Sequence, residues 1–334
     1  MAGTIGIDLE RCLNSMYKKA ACQRCRRQCP SGSIDATLAV DRKDCNECGM
    51  CLAICPSEAI WGEQYSRQAL DDLFVDDSSP LVLACRRQSA ESPWPCLGFL
   101  DPRLLLSLVA SGGDGGRKVV LDDQSCSGCK EGVAEYLRQL ADDVNQLLSQ
   151  AEKPLVESGE AARRVARREK TVSRRDFFTQ LLGATVTTVR EVMATNIDGG
   201  QPLPRQALFT KYAGALSMPA AVTTKLFHNI CINEKCQACG FCARICPVKA
   251  ISIQDHGAAL DFYHLPQKCT GCGVCVAHCP VMALSLTTAE QMAVYHVGRT
   301  ELPRCTKCGE LYQPSGNQPV CLECLLKHDY RGFN

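Results

Sequence analysis

The sequence predicts an α+β protein in which two small cysteine-rich modules flank a small α/β domain. The 25 cysteines of the 334-residue chain gather in tight clusters, and the ending Cys-Pro-x-x-Ser/Ala-Ile/Leu recurs four times, twice in each of two distant modules. Between the modules, short apolar runs alternate with helical periodicity. We predict a first cysteine-rich module at 1–68, an α/β domain at 75–150, a helical linker at 151–224, a second cysteine-rich module at 225–295 and a cysteine-rich tail at 300–330.

The charge balance and the N-terminus exclude several classes of function. The chain has 37 basic and 36 acidic residues, so its net charge of +1 gives no general reason to bind nucleic acid. We find neither a secretory signal at the N-terminus nor an apolar run of about 18 residues, and we expect a cytoplasmic protein. Paired C-x-x-C motifs in such a chain are more typical of metal binding than of disulfides.

The repeated spacing C-x2-C-x2-C-x3-C-P is typical of [4Fe-4S] ligands, in which the fourth cysteine ligates a neighbouring cluster. The modules resemble the bacterial two-cluster ferredoxins over roughly 1–65 and 225–290. The resemblance implies three regular ligand sets: site 2 (Cys29, Cys45, Cys48, Cys51), site 3 (Cys236, Cys239, Cys242, Cys279) and site 4 (Cys246, Cys269, Cys272, Cys275). The alternative, a zinc site or buried thiols, is disfavoured because zinc sites usually pair two knuckles across a long gap.

The remaining set is irregular because nine residues separate Cys12 from Cys22. We assign Cys12, Cys22, Cys25 and Cys55 to site 1 and treat "SMYKKAA", Ser15–Ala21, as an insertion in the ligand loop. Cys231 fits no ligand position, so we predict a small buried hydrophobe. For His264 and His278 we expect packed or surface histidines, with tuning of a cluster as the alternative.

The middle domain places four cysteines beside its predicted strands. The runs "LVLAC" and "KVVLDD" predict strands, and "VAEYLRQLADDVNQLL" predicts a helix. Cys85 ends the first strand, Cys96 opens the helix "CLGFLDPRLLLSLVASG", and Cys126 and Cys129 follow the second strand. Because open α/β sheets bind ligands at the carboxyl ends of their strands, these thiols could converge.

The order of elements resembles the small iron–sulfur subunit that links methanogen-type hydrogenases to heterodisulfide reductase, a family that carries a [2Fe-2S] centre. The gaps also resemble those of thioredoxin-like [2Fe-2S] ferredoxins. We therefore expect an additional Fe–S centre in the middle domain. The alternative is a cluster-free docking domain whose thiols are redox-inert or hold zinc.

The linker contains two stretches in which we predict no buried apolar residues. "EKPLVESGEAARRVARREK", Glu152–Lys170, is charged and predicts a solvated linker or exposed helix, and "DGGQPLPRQ", Asp198–Gln206, predicts a second linker. Between them "SRRDFF", Ser173–Phe178, resembles a twin-arginine export motif. Its internal position favours instead a capped helix with an apolar face that could dock a partner. Export remains the alternative.

The tail has the spacing C-x2-C-x12-C-x2-C at Cys305, Cys308, Cys321 and Cys324. Two knuckles at this spacing predict a tetrahedral zinc ribbon that lets a short segment fold without a large core. A rubredoxin-like Fe(Cys)4 site is the alternative. Nucleic-acid binding is a further alternative, but the tail has no dense basic and aromatic stripe.

No nucleotide-binding or catalytic motif occurs in the chain. We therefore expect an electron-transfer subunit without its own substrate site, which relays electrons one at a time within a larger anaerobic oxidoreductase complex. The expected partners are flavoprotein subunits of the heterodisulfide-reductase kind, hydrogenases or formate dehydrogenases. An Fe–S redox sensor or assembly protein is the alternative.

Overall fold

A computed structural model describes residues 5–75, 80–130, 132–159, 204–216, 224–314 and 318–329. These ranges mix helices and strands, as the sequence predicts. Most of the predicted linker, including the twin-arginine-like Ser173–Phe178, lies outside them. The helix and export predictions for that motif therefore stay predictions.

The first module begins and ends with paired strands. Strand β1 (Ile5–Ile7) runs antiparallel to β2 (Ile60–Gly62), with Ile5 opposite Gly62. Three short helices lie between them: α1 (Leu13–Met16), α2 (Arg24–Gln28) and α3 (Met50–Ile54). Helices α2 and α3 end at Cys29 and Cys55, whose backbones are extended because each precedes a proline.

Helix α4 (Arg67–Val75) leads into the middle domain, which contains a parallel sheet. Its strands are β3 (Leu81–Leu83), β4 (Val119–Leu121) and β5 (Glu157–Ser158), paired in that order. Helices α5 (Pro102–Ala110) and α6 (Val133–Gln150) connect them. The two predicted strands and both predicted helices are present.

Two boundary predictions for this domain are wrong. Helix α5 begins at Pro102 rather than Cys96, because the Asp101 carboxylate caps it by accepting from the Leu104 N–H at 2.9 Å. The expected linker Glu152–Lys170 instead contains the edge strand β5, which pairs with β4. Beside it Lys118 and Glu157 form an ion pair at 2.5 Å.

Helix α7 (Pro204–Tyr212) packs on α5 of the middle domain and contacts both cysteine-rich modules. It opens within the predicted linker Asp198–Gln206, so that prediction is wrong over its last three residues. The Arg205 guanidinium is buried and donates to Asp101 at 2.7 Å and to the Leu52 carbonyl at 3.0 Å. Phe209 stacks on Phe227 with ring centroids 5.3 Å apart.

The second module repeats the strand pairing of the first and adds a sheet. Its strands are β6 (His228–Ile232), β7 (Ile251–Asp255), β8 (Ala259–His264), β9 (Leu284–Thr288) and β10 (Tyr295–Glu301). Strand β6 pairs antiparallel with β9, and β8 lies between β7 and β10. The short helices α8 (Phe241–Ile245) and α9 (Val274–Ala277) precede the two Cys-Pro pairs. The described part of the tail includes helix α10 (Leu322–Asp329).

Apolar side chains form separate cores. The large core joins the first module, the middle domain and α7 through residues such as Met50, Phe99, Leu105 and Phe209. A smaller core around Ile230, Leu260 and Phe262 belongs to the second module. None of the described helices has the length and hydropathy of a transmembrane span; the 18-residue α6 carries charged side chains along its length.

Candidate iron–sulfur and metal sites

Three of the four predicted cubane ligand sets each line a cavity. These are the sets of sites 1, 2 and 3. All four assigned cysteines line the wall in each case, including Cys12 at the irregular site 1. The structure therefore brings the thiols of these sets together.

The thiols of site 4 lie close to one another and to site 3. Burial, together with the charges of Cys272, Cys246 and Cys269, raises the pKa of Cys275 to about 12, and the Cys242 thiolate of site 3 adds to the effect. The short helices α8 and α9, which carry Cys242 and Cys275, contact each other. Sites 3 and 4 are thus adjacent, as in a two-cluster module.

The recurrent Cys-Pro ending forms the same turn in each copy. The third residue after the cysteine has a positive φ in all four: 65° at Gly32, 46° at Glu58, 49° at Lys249 and 52° at Met282. In three copies the next N–H donates to the sulfur, from Ala59 to Cys55 at 3.3 Å, from Ala250 to Cys246 at 3.3 Å and from Ala283 to Cys279 at 3.2 Å. The turn buries the fourth residue after the cysteine, which explains why that residue is small in every copy: Ser33, Ala59, Ala250 and Ala283.

The electrostatics of these sites favour a cationic ligand. Burial raises the pKa of Cys48 to about 11 and that of Cys242 to about 12, because a desolvated thiolate is unfavourable without a counter-charge. Iron supplies that charge, and amide donors to sulfur stabilise the thiolate form. Four thiols, half-buried or buried and partly hydrogen-bonded through sulfur, fit a [4Fe-4S] cluster.

The middle-domain thiols converge in one cavity, the middle-domain site, lined by Cys85, Cys96, Cys126 and Cys129. Lys130 and Arg87 also line it. Burial raises the pKa of Cys126 to about 12, with added effects of Cys96 and Cys85.

This site abuts site 2. A Cβ on Gly98 would lie 2.4 Å from the Cys48 carbonyl, and one on Gly49 would lie 2.9 Å from Phe99, so both glycines permit a close approach of backbones. The Tyr65 hydroxyl donates to the Glu47 carbonyl at 2.8 Å and lies 3.4 Å from that of Cys96.

The tail cysteines form a much tighter group. The sulfurs of Cys305, Cys308, Cys321 and Cys324 all lie within 4.8 Å of one another, and no other group of three or more potential ligands in the described ranges converges so tightly. The Cys308 and Cys321 sulfurs are 3.8 Å apart, close to the edge of roughly 3.8 Å expected for tetrahedral Zn–S bonds of about 2.3 Å. The tail thiols therefore fit a single metal ion.

Backbone donors prepare one tail thiol for metal. Against the effect of burial, the N–H groups of Cys321, Cys308 and Lys307 lower the pKa of Cys305 to about 6. A thiolate at neutral pH binds zinc without first losing a proton.

Other residues depart from expectation or were missed. Cys231 is exposed, so the prediction of a buried thiol is wrong. His264 is packed, with Nδ1 2.8 Å from Asn229 Oδ1. Sequence reasoning did not single out Arg24, Arg103 or Arg205, since spacing patterns identify ligands and not their supports. Of the three, only Arg24 could have been suspected from the sequence, because it lies between the predicted ligands Cys22 and Cys25.

Comparisons with known proteins support iron–sulfur binding in both modules. A family model described as "4Fe-4S dicluster domain" matches 235–283, which contains the cysteines of sites 3 and 4, and one described as "4Fe-4S binding domain" matches 38–61. A subunit of the ion-translocating oxidoreductase complex of Methanosarcina acetivorans is similar at 43% identity over 42 residues. That match covers 12% of this chain and 16% of the relative. The chain thus contains two ferredoxin-type 4Fe-4S domains with an electron-transfer role.

Proposed function

We propose that the protein is an iron–sulfur subunit that relays single electrons within a larger oxidoreductase complex. It would hold four [4Fe-4S] clusters, a further Fe–S centre in the middle domain and zinc in the tail. The observation that carries this proposal is the convergence of the cysteines into adjacent sets of four. Each cubane set has four cysteine ligands, which leaves no iron open to substrate and supports a role without a substrate site.

A cubane bound at each site supplies one-electron reduction and reoxidation. The protein fixes the thiolates through the Cys-Pro turn, donates amide hydrogen bonds to sulfur and shields the sites from water with side chains such as Met50 and Val274. Burial of this kind disfavours the more negative reduced state, whereas N–H donors favour it. The reduction potential of a cluster at each site would therefore be set by the protein residues around it.

A cluster in the middle domain is supported by its cavity, which is lined by four cysteines like the cavities of sites 1, 2 and 3. Its thiols are spread more widely than those of the tail, which argues against a single zinc ion there. Lys130 and Arg87 on the wall would offset the negative charge of a thiolate-bound cluster.

The partner class follows from the similarity to a subunit of an ion-translocating oxidoreductase complex and from the middle-domain resemblance. We propose a flavoprotein, hydrogenase or formate dehydrogenase subunit as the redox partner. This part of the proposal is an analogy between families.

The test is metal analysis and EPR potentiometry on the full chain purified without oxygen. We expect about sixteen irons from the four cubanes, more from the middle domain, one zinc, and several interacting centres that reduce reversibly. Cys126→Ser should lose only the middle-domain iron, whereas the matched control Cys231→Ser should lose none. Far fewer irons, or one labile centre destroyed by air, would reject the conduit and favour a sensor.

A further inference from the structure

The insertion that makes site 1 irregular lies against the second module. Tyr17 meets the His278 ring edge-on, with centroids 5.8 Å apart. The 3₁₀ turn Lys18–Ala20 contacts helix α9, which carries the site 4 ligand Cys275. Burial raises the pKa of the Tyr17 phenol, and the thiolates of Cys272 and Cys246 add to the effect. Tyr17 therefore lies close to two site 4 ligands.

One arginine joins the ligand loops of sites 1 and 4. Arg24, between Cys22 and Cys25, donates from Nη2 to the Gly271 carbonyl at 2.5 Å. Gly271 itself lies between Cys269 and Cys272, with φ of 61°. A Cβ there would lie 2.7 Å from the His228 ring, so the loop is confined on that side as well.

A second arginine reaches the same loop from the middle domain. Arg103 on α5 donates from Nη2 to the Cys269 carbonyl at 2.5 Å and lies over the Phe227 ring, 5.5 Å from its centroid. Its Nε is shielded from solvent and has no hydrogen-bond partner in the described part of the chain. Across those ranges no carboxylate lies within 4.0 Å of its guanidinium, unlike that of Arg205. Its cationic head therefore faces the ligand loop of site 4.

We propose that the insertion Ser15–Ala21, Arg24 and Arg103 form a built junction that holds site 1 against site 4. The inference rests on the proposed function. The sites then follow one another in the order middle-domain site, site 2, site 1, site 4, site 3, so that one electron given up at site 1 is taken up at site 4. No bond is made or broken in that step. Arg24 and Arg103 are positioning residues, and their charge favours the reduced state at site 4.

Each neighbour relation in this order has its own support. The Cys96 charge adds to burial in raising the pKa of Cys48, which relates the middle-domain site to site 2. Helices α2 and α3 of sites 1 and 2 pack together, as do α8 and α9 of sites 3 and 4. The junction supplies the link between sites 1 and 4, which the repeated motif does not.

The first test compares Arg24→Met with Arg27→Met, an exposed arginine on the same helix. Amide hydrogen exchange on the anaerobic full chain should show lost protection at Cys269–Gly273 and Lys18–Ala20 in R24M and not in R27M. After a photoreduced flavin donates one electron per chain, freeze-quench EPR should show that equilibration between modules slows in R24M alone. Tyr17→Ala serves as a second variant should R24M not fold.

The junction would be overturned if R24M and Y17A, with full iron content, showed normal hydrogen exchange and normal electron equilibration. It would also be overturned if R27M lost as much protection and equilibration rate as R24M. Deficient iron in the wild-type chain would instead overturn the proposed function. The two failures are therefore distinguishable.

The second test measures potentials. Arg103→Met should lower the equilibrium constant for reducing one centre by at least tenfold, which is about 59 mV for one electron. Arg103→Lys, which keeps the charge, should restore most of it. The role of this charge would be contradicted if the reduction potential were unchanged in R103M. It would also be contradicted if the potential in R103K were as low as that in R103M.

Discussion

The first cysteine-rich module packs into the core of the middle domain, whereas the second folds around a core of its own. Between its two ligand halves, the first module has a single bridge from Ile34 to Val40. At the same place the second has the hairpin β7–β8, extended by β10. The Cys-Pro turn is common to both. Ligand geometry thus comes from the repeated turn, while the support behind it differs between the modules.

The difference extends to their connections. Arg205 on α7 ties the first module to the middle domain through Asp101 and Leu52, and both polar groups are buried. In the described ranges the second module reaches the large core at its margins, through Leu226, Phe227, Ala289 and Met292. Stability of the first module should therefore depend on the middle domain, and that of the second should not.

The largest effect is expected for Arg205→Met. Removing one partner of a buried ion pair costs about 3–5 kcal/mol, because the Asp101 carboxylate stays buried without its counter-charge. Hydrogen exchange should show lost protection in α3, α5 and α7, with β7 and β8 unchanged. The matched control is Arg299→Met, whose half-exposed arginine pairs with Asp261 at 3.2 Å and should contribute little. Equal loss in both modules for R205M would refute the separation.

A pair of core substitutions sharpens the comparison. Leu105→Ala in the shared core and Leu260→Ala in the second core should each cost about 2–5 kcal/mol through loss of packing and an unfilled cavity. Proteolysis at increasing denaturant should show the first module and middle domain opening together in L105A. In L260A the second module should open alone. A joint opening of all three in either variant would show one cooperative unit instead.

Gly98→Ala tests the contact between site 2 and the middle-domain site. The added Cβ would lie 2.4 Å from the Cys48 carbonyl, so overpacking should cost about 1–3 kcal/mol and weaken magnetic coupling between the two sites. EPR of the reduced protein measures that coupling. Gly115→Ala, where a Cβ meets nothing within 4 Å, is the control. If G98A is destabilised but its magnetic coupling is unchanged, the contact at Gly98 is not what keeps the two sites close.

The smallest effect is a histidine-linked pH dependence of the second module's stability. Burial lowers the pKa of His264 from 6.5 to about 4, so the folded form stays neutral where the unfolded chain binds a proton. Stability is therefore complete above pH 6.5 and falls as the pH drops towards 4, by on the order of 2 kcal/mol. All six histidines lie at or beyond position 228, and the first module has none. His264→Asn should remove most of the dependence in thermal melts; an equal dependence in the first module would contradict this origin.

The ligand sets could be predicted from the sequence because cysteine spacing is a local property. The structure gathers the Cys12 set despite its insertion, since the turn at Cys55 and helix α2 still face one cavity. Supports that depend on distant partners were not predictable. Arg205 lies in a Gly- and Pro-rich stretch and pairs with Asp101, 104 residues away. Glu157 was assigned to a charged linker because its strand exists only by pairing with β4.

The exposure of Cys231 follows from the alternation of its strand. Ile230 and Ile232 face the core of the second module, so Cys231 between them lies on the opposite face. Residue type alone favoured burial of the thiol.

Pairing of β6 with β9 brings the two ends of the second module side by side. A unit whose entrance and exit coincide can be cut out, duplicated or spliced into a loop of another protein without stretching the host chain. The first module closes in the same way through β1 and β2, but its apolar core is shared with the middle domain, so it would have to move together with that domain. For the second module, the contacts to Arg24, Arg103 and Phe209 would have to be rebuilt in a new host.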